Sequence, residues 1–198
     1  MDTRKKAEFA ACWAALAVLA VVAALELGGQ PVREWLRYDR AAISGGETWR
    51  LFSGHFVHLG WSHLLLNGAG LLLIAYLVGA HFAWRQWVAV SILTIAGMDL
   101  GFWYLQPQLS WYVGLSGLLH GLLAAGTVSG IRHRQVEFSI IAAFLLGKLV
   151  YEQLFGALPG SEASSGGNVV VAAHLYGTLG GALAGLLFAL RKSSAAPI

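Results

Sequence analysis

The sequence predicts an all-α membrane protein: one bundle of six transmembrane helices over residues 1–198, with a long interfacial connection after the first helix. Composition is the first ground, since 57% of the 198 residues are hydrophobic and only 12% charged, against about 25% charged in an ordinary soluble domain. The second is the recurrence of apolar runs near 20 residues, each long enough as a helix to cross a hydrocarbon core of about 30 Å. The third is what separates them: charged, Gly-rich or Pro-containing stretches that end each run. Such a chain has the lipid bilayer as its main surroundings, and no nucleic-acid partner is expected.

The first run, Phe9 to Leu27, follows Arg4, Lys5 and Lys6 and so has the charge order of a signal peptide. Its apolar part exceeds the usual signal core of about 7–15 residues, and Glu26 to Gln30 do not form a small-residue cleavage site, so it reads as a retained span. From Gly28 to Gly60 the chain carries Arg33, Arg37, Arg40 and Arg50, partly balanced by Glu34, Asp39 and Glu47 and interleaved with Trp35, Leu36, Tyr38, Trp49, Leu51 and Phe52. That mixture suits a structured segment lying in the outer membrane interface. Further spans are predicted over His63–Ala80, Trp84–Tyr104, Ser116–Gly130, Val136–Phe155 and Val169–Leu190, with Gly160 to Gly167 a flexible outer loop before the last. Arg4, Lys5, Lys6, Arg85, Arg132, Arg134, Arg191 and Lys192 fall on one side, whereas the loops near Gln106 and Ser165 hold no Lys or Arg. The positive-inside rule then puts both termini in the cytoplasm. Cys12 is the only cysteine, which excludes an intrachain disulfide and leaves it as packing.

Polar groups inside spans cost a few kcal/mol or more unless paired, and by default mark a functional site or its internal partners. Here they gather at one depth, toward the outer leaflet. His63 and Asn67 share a face of the second span, Ser116 and His120 a face of the fourth, and His174 opens the sixth. A lone serine in a span usually bonds its own helix, and a lone His or Asn usually joins helices. Together they supply what acyl transfer needs: a hydroxyl nucleophile, an imidazole whose ordinary pKa is near 6.5, and donors for an oxyanion in Asn67, His63 and the N–H groups at the start of the fourth helix. Nucleophile and base on different helices must meet at about 3 Å, closer than packed helices usually bring them. Gly117 and Gly121 on the fourth span, and Gly177, Gly181 and Gly185 on the sixth, allow that approach.

At these residues the sequence resembles the rhomboid proteases. Gly114, Leu115, Ser116 and Gly117 match the family's GxSG motif; Ala173, His174, Gly177 and Gly181 its AHxxGxxxG; His58, His63 and Asn67 its HxxxxHxxxN; and Trp49 with Arg50 the Trp-Arg of its first outer loop. The resemblance implies a six-helix rhomboid-like bundle, a Ser/His dyad without an acid, no metal and no cofactor, and cleavage of substrate transmembrane segments in a site opening outward. Carried over, Ser116 is the nucleophile, His174 the base, and His63, Asn67 and the Ser116 N–H the oxyanion donors. Many relatives have Tyr where this chain has His120, and the stretch GLSGLLHG from Gly114 to Gly121 is instead similar to the rhombosortase branch. That branch is associated with C-terminal anchors containing a Gly-Gly motif, so the expected substrates are membrane proteins with such anchors; the expected location is a bacterial inner membrane, and His120 is expected to orient His174.

Two other readings stand beside this one. His63, His120 and His174 could bind a metal, although no accompanying carboxylate motif supports it; alternatively a rhomboid-like fold could escort membrane proteins without cutting them. Lys148 and Glu152, one turn apart in the fifth span, are expected to pair with each other and to help recognise substrate, with Asp99 a candidate to join them.

Overall fold

A computed structural model describes the backbone of residues 3–193 and the side chains of residues 5–190. The side chains of Arg4, Arg191 and Lys192, on which the reading of the terminal charges partly rests, lie outside the described residues. In chain order the elements are α1 (Thr3–Leu27), α2 (Gly29–Leu36), β1 (Tyr38–Asp39), α3 (Arg40–Ser44), α4 (Arg50–Ser53), α5 (Trp61–Val78) and a 3-10 turn at Gly79–His81. There follow α6 (Trp84–Leu105), β2 (Trp111–Tyr112), α7 (Ser116–Arg132), α8 (Val136–Phe155), α9 (Ser161–Ser165) and α10 (Val171–Ser193).

Among the described residues, five helical stretches are long and apolar enough to cross a membrane: Lys5–Leu27, Trp61–His81, Trp84–Leu105, Val136–Phe155 and Val171–Leu190. Helix α7, at 17 residues, is shorter than these and sits at the centre, with Gly117, Leu118, Gly121, Ala124, Ala125 and Gly130 among its buried positions. It packs against α5, α6, α8 and α10. The outward faces are what lipid requires, for Leu65, Tyr76, Leu100, Phe144, Leu154 and Leu183 are all exposed.

Glycine decides how closely α7 and α10 approach. A methyl group added to Gly177 would lie 2.7 Å from the Gly117 carbonyl carbon, and one at Gly185 2.7 Å from the Ala125 carbonyl oxygen. A methyl at Gly121 would meet the Gly177 oxygen at 2.7 Å, so the two glycine rows interlock backbone to backbone.

The Gly28–Gly60 connection is folded. Strand β1 pairs antiparallel with β2, Tyr38 opposite Tyr112 and Asp39 opposite Trp111, which ties the connection to the segment entering α7. Buried Arg50 donates to Glu47 at 2.6 Å, to the Glu34 oxygen at 2.8 Å and to the Arg37 oxygen at 3.1 Å. Arg50 of the Trp-Arg pair thus holds the connection's own turns together. Arg40 reaches further, donating to the oxygens of Leu109 at 3.1 Å, Trp103 at 3.3 Å, Gln106 at 2.9 Å and Phe102. It satisfies carbonyls at the C-terminal end of α6, which an ending helix leaves without partners. The aromatic side chains of Trp35, Trp49 and Phe52 remain exposed on this unit.

Within the Gly160–Gly167 stretch, Ser161–Ser165 form a helical turn. Gly160 (φ 81°) and Gly166 (φ 79°) flank it in the left-handed region, where glycine has no Cβ to clash.

Candidate active site

Ser116 is the first residue of α7 and His174 lies in the first turn of α10, so both project from the same end of the interlocked helix pair. Oγ of Ser116 and Nε2 of His174 are 3.0 Å apart. The turn before Ser116 depends on Gly114, whose φ of 130° disfavours any other residue. A Cβ there would also meet the His63 ring at 2.9 Å. The glycine of the GxSG motif therefore lets the chain bend and lets His63 close over the bend. Tyr112 fixes the same turn, its hydroxyl donating to the Gly114 oxygen at 2.6 Å; the sequence reading missed this residue, which carries no motif of its own.

His63 and Asn67 lie one helical turn apart on α5. His63 Nδ1 accepts from the Leu59 N–H at 3.4 Å, which leaves Nε2 as the protonated, donating nitrogen. Asn67 is buried and its amide nitrogen has no partner among the described residues. An unsatisfied buried donor is costly, so this amide is free to donate to a group placed beside it. His58 lies behind them, fully buried, with its ring edge-to-face on His63 at 5.1 Å and neither nitrogen partnered among the described residues. Burial, with smaller contributions from His63 and Arg33, pushes its pKa down to about 3.

On the other side of His174, His120 lies ring on ring, with centroids 4.2 Å apart and planes at 14°. His120 Nδ1 is 2.7 Å from the Ser116 carbonyl oxygen, so this nitrogen donates to its own helix rather than to the Ser116 hydroxyl. Gly117 completes the fit, since a methyl there would strike Met98 and come within 2.8 Å of the Ala173 oxygen. Gly181 faces the Gly121 carbonyl one turn deeper.

Lys148 and Glu152 do pair, Nζ to Oε1 at 2.6 Å. The other carboxylate oxygen of Glu152 lies 2.9 Å from His174 Nδ1, and Lys148 Nζ itself lies 3.3 Å from that nitrogen. An acid therefore stands on the imidazole, contrary to the expectation of a Ser/His pair without one. The i, i+4 spacing in the sequence revealed the pair but not that its face meets α10. Asp99 does not join it; its carboxylate lies 3.2 Å from Nε2 of buried His55.

His120, Glu152 and His174 bring potential ligand atoms within 4.8 Å of one another, and His63 is not among them. A metal must lie in the plane of each imidazole it binds, and two rings stacked 4.2 Å apart and nearly parallel do not share one in-plane point. The Lys148 ammonium already occupies the carboxylate that would complete the set. The cluster is held by hydrogen bonds and ring stacking and does not fit a chelate.

Residues 45–191 match the Rhomboid domain. The chain belongs to the rhomboid family. This rhomboid is an integral membrane protein, and it is similar to the rhomboid protease GlpG of Klebsiella pneumoniae, with 32% identity over 142 residues covering 70% of this chain and 50% of that protein. A second similar protein is the rhomboid protease GlpG of Salmonella choleraesuis, 31% identical over 120 residues that cover 60% of this chain and 42% of the relative. The chain therefore spans about half the length of the relatives it matches.

Proposed function

We propose that this rhomboid is an intramembrane serine endopeptidase. Ser116 Oγ attacks the scissile carbonyl of a substrate membrane segment while His174 Nε2 takes its proton. His174 then gives that proton to the leaving amine, and water, activated by the same nitrogen, hydrolyses the acyl-enzyme. His63 Nε2, the Asn67 amide and the Ser116 N–H donate to the oxyanion, in a site where such donors contribute far more than in water. The observation that carries this reading is the 3.0 Å approach of Ser116 Oγ to His174 Nε2 on two helices interlocked by glycine. The unpartnered Asn67 amide supports it from the opposite side.

In this reading α7 is a sixth spanning element that begins below the outer surface, which accounts for its 17 residues and for a nucleophile sunk among helix ends. Both termini lie in the cytoplasm, the site opens outward in a bacterial inner membrane, and the folded connection with its exposed Trp35, Trp49 and Phe52 rests in the outer interface. The substrate is a single-span protein cut near the outer face, at a Gly-Gly beginning a C-terminal anchor. Two glycines at a helix end each weaken it by about 1 kcal/mol relative to Ala, which frees a carbonyl from its helical bond for attack. The similarity of the GLSGLLHG stretch to rhombosortases supplies the C-terminal position.

The test is fluorophosphonate labelling of the purified protein, together with cleavage of two anchors in liposomes differing only by Gly-Gly against Leu-Leu. Ser116→Ala and His174→Ala should each abolish labelling and cleavage, because neither half of the pair suffices alone. Persistent cutting by Ser116→Ala protein would end the protease reading, and equal cleavage of both anchors would end the substrate reading alone.

A further inference from the structure

We infer that Glu152 is a positioning residue that holds His174 in the tautomer able to act as a base, and that Lys148 orients Glu152 while being capable of the opposite effect on the imidazole. The inference rests on the protease reading above, and it departs from a two-residue mechanism by adding a named acid.

Neutral imidazole carries one proton, on either Nδ1 or Nε2. With the proton on Nδ1, that nitrogen donates to Glu152 Oε2, 2.9 Å away, and Nε2 is left as an acceptor facing Ser116 Oγ at 3.0 Å. With the proton on Nε2, the imidazole donates to the serine oxygen and has no lone pair there to take its proton. Nδ1 would then accept from Lys148 Nζ, which stands 3.3 Å off. The two side chains thus favour opposite tautomers, and only the one favoured by Glu152 is productive. Distance and direction give Glu152 the nearer hold, and Lys148 is drawn to Oε1 of the same carboxylate at 2.6 Å, away from the ring.

The surrounding groups leave this choice to the pair. From α7, His120 presents its ring face and has its Nδ1 committed to the Ser116 carbonyl. From α6, Asp99 is committed to His55. Glu152 itself is buried, and its two oxygens have the two partners named. The protonated imidazole formed during attack is likewise stabilised by the carboxylate beside it.

A carboxylate that merely packs and a carboxylate that selects a tautomer differ in how they respond to replacement. Glu152→Gln keeps size and hydrogen-bonding capacity, so a packing role would leave activity near wild type. Its amide can donate to Nδ1, however, and so favours the unproductive tautomer. We expect kcat for a transmembrane substrate in liposomes to fall about 10²–10⁴-fold with KM within about twofold, as when an amide replaces the acid of a serine-protease triad. In Glu152→Ala protein, Lys148 alone remains to donate to Nδ1. Adding Lys148→Met should then raise kcat at least about fivefold over Glu152→Ala, since the competing donor is gone. Glu152→Gln within threefold of wild-type kcat, or a double variant no better than Glu152→Ala, would overturn the inference.

Wild-type protein labelled with ¹⁵N-histidine provides a readout that needs neither a variant's stability nor cleavage. His174 should show a protonated Nδ1 and an unprotonated Nε2 at neutral pH, and the reverse would overturn the proposal. Loss of cleavage in Ser116→Ala protein tests the protease reading separately, so the two can fail independently.

Discussion

Replacing Gly177 by alanine tests whether the α7–α10 backbone contact sets the distance between Ser116 and His174. The added methyl would lie 2.7 Å from the Gly117 carbonyl carbon, with the carbonyl oxygen closer still. Ordinary contact begins near 3.4 Å, so the helices must separate by about 0.7 Å for the carbon alone, or the neighbouring turns must deform. His174 is three residues before Gly177, and moving it by that amount would stretch the 3.0 Å approach to Ser116 beyond hydrogen-bonding range. Misplacement of a reacting group by about 1 Å can cost about 10²-fold in rate, so a loss of roughly 10- to 100-fold in kcat is expected. Overpacking costs about 1–3 kcal/mol, which outweighs the gain of about 1 kcal/mol from replacing a helical glycine by alanine. The control is Gly147→Ala on α8, where, the helix's own neighbouring backbone aside, no described residue lies within 4 Å of the added methyl. That variant gains the helical preference at no steric cost and should match or exceed wild-type stability. Thermal unfolding in detergent and initial cleavage rates in liposomes measure both effects. Wild-type rate and stability in Gly177→Ala protein would refute the argument.

Three further perturbations follow from the same geometry. His120→Tyr keeps a ring face against His174 and forfeits one hydrogen bond to the Ser116 oxygen, a loss of about 0.5–1.5 kcal/mol, so cleavage within about tenfold of wild type is expected; inactivity as complete as in His174→Ala would show that His120 transfers the proton. Arg40→Lys should destabilise the protein by more than about 3 kcal/mol in detergent unfolding, because a point ammonium cannot satisfy the carbonyls of Leu109, Trp103, Gln106 and Phe102 as a planar guanidinium does. His58 has a folded pKa of about 3, below its ordinary value near 6.5. The unfolded chain therefore binds a proton that the native state does not, and stability should fall by up to about 1.4 kcal/mol per pH unit as pH drops from 6.5 toward 3. Melting from pH 7.5 to 4.5 should fall less steeply in His58→Leu protein than in wild type, and parallel slopes would remove His58 from the account.

Much of this molecule is legible along the chain because bilayer thickness and helical periodicity are local constraints. Apolar length alone predicts the Val136–Phe155 helix with the bounds it has, and places the other ends within three residues except the start of α1, which lies six residues before Phe9. The spacing of Ser116, Gly117 and Gly121, and of His174, Gly177 and Gly181, makes two polar positions with small neighbours visible before any packing is known. What the sequence could not disclose is which faces meet. Lys148 and Glu152 are as well paired on an isolated helix as in the bundle, and only the docking of α8 beside α10 turns the second carboxylate oxygen onto His174. Asp99 looked equally able to join them until the folded connection brought His55 to it from 44 residues away. Arg40 and Tyr112 carry no periodic signal, since each acts on backbone carbonyls whose position depends on where a helix ends or a turn bends. Period and composition fix what a segment can be, whereas the orientation of one helix against another depends on side-chain fit across the whole bundle, and there the tertiary structure alone decided.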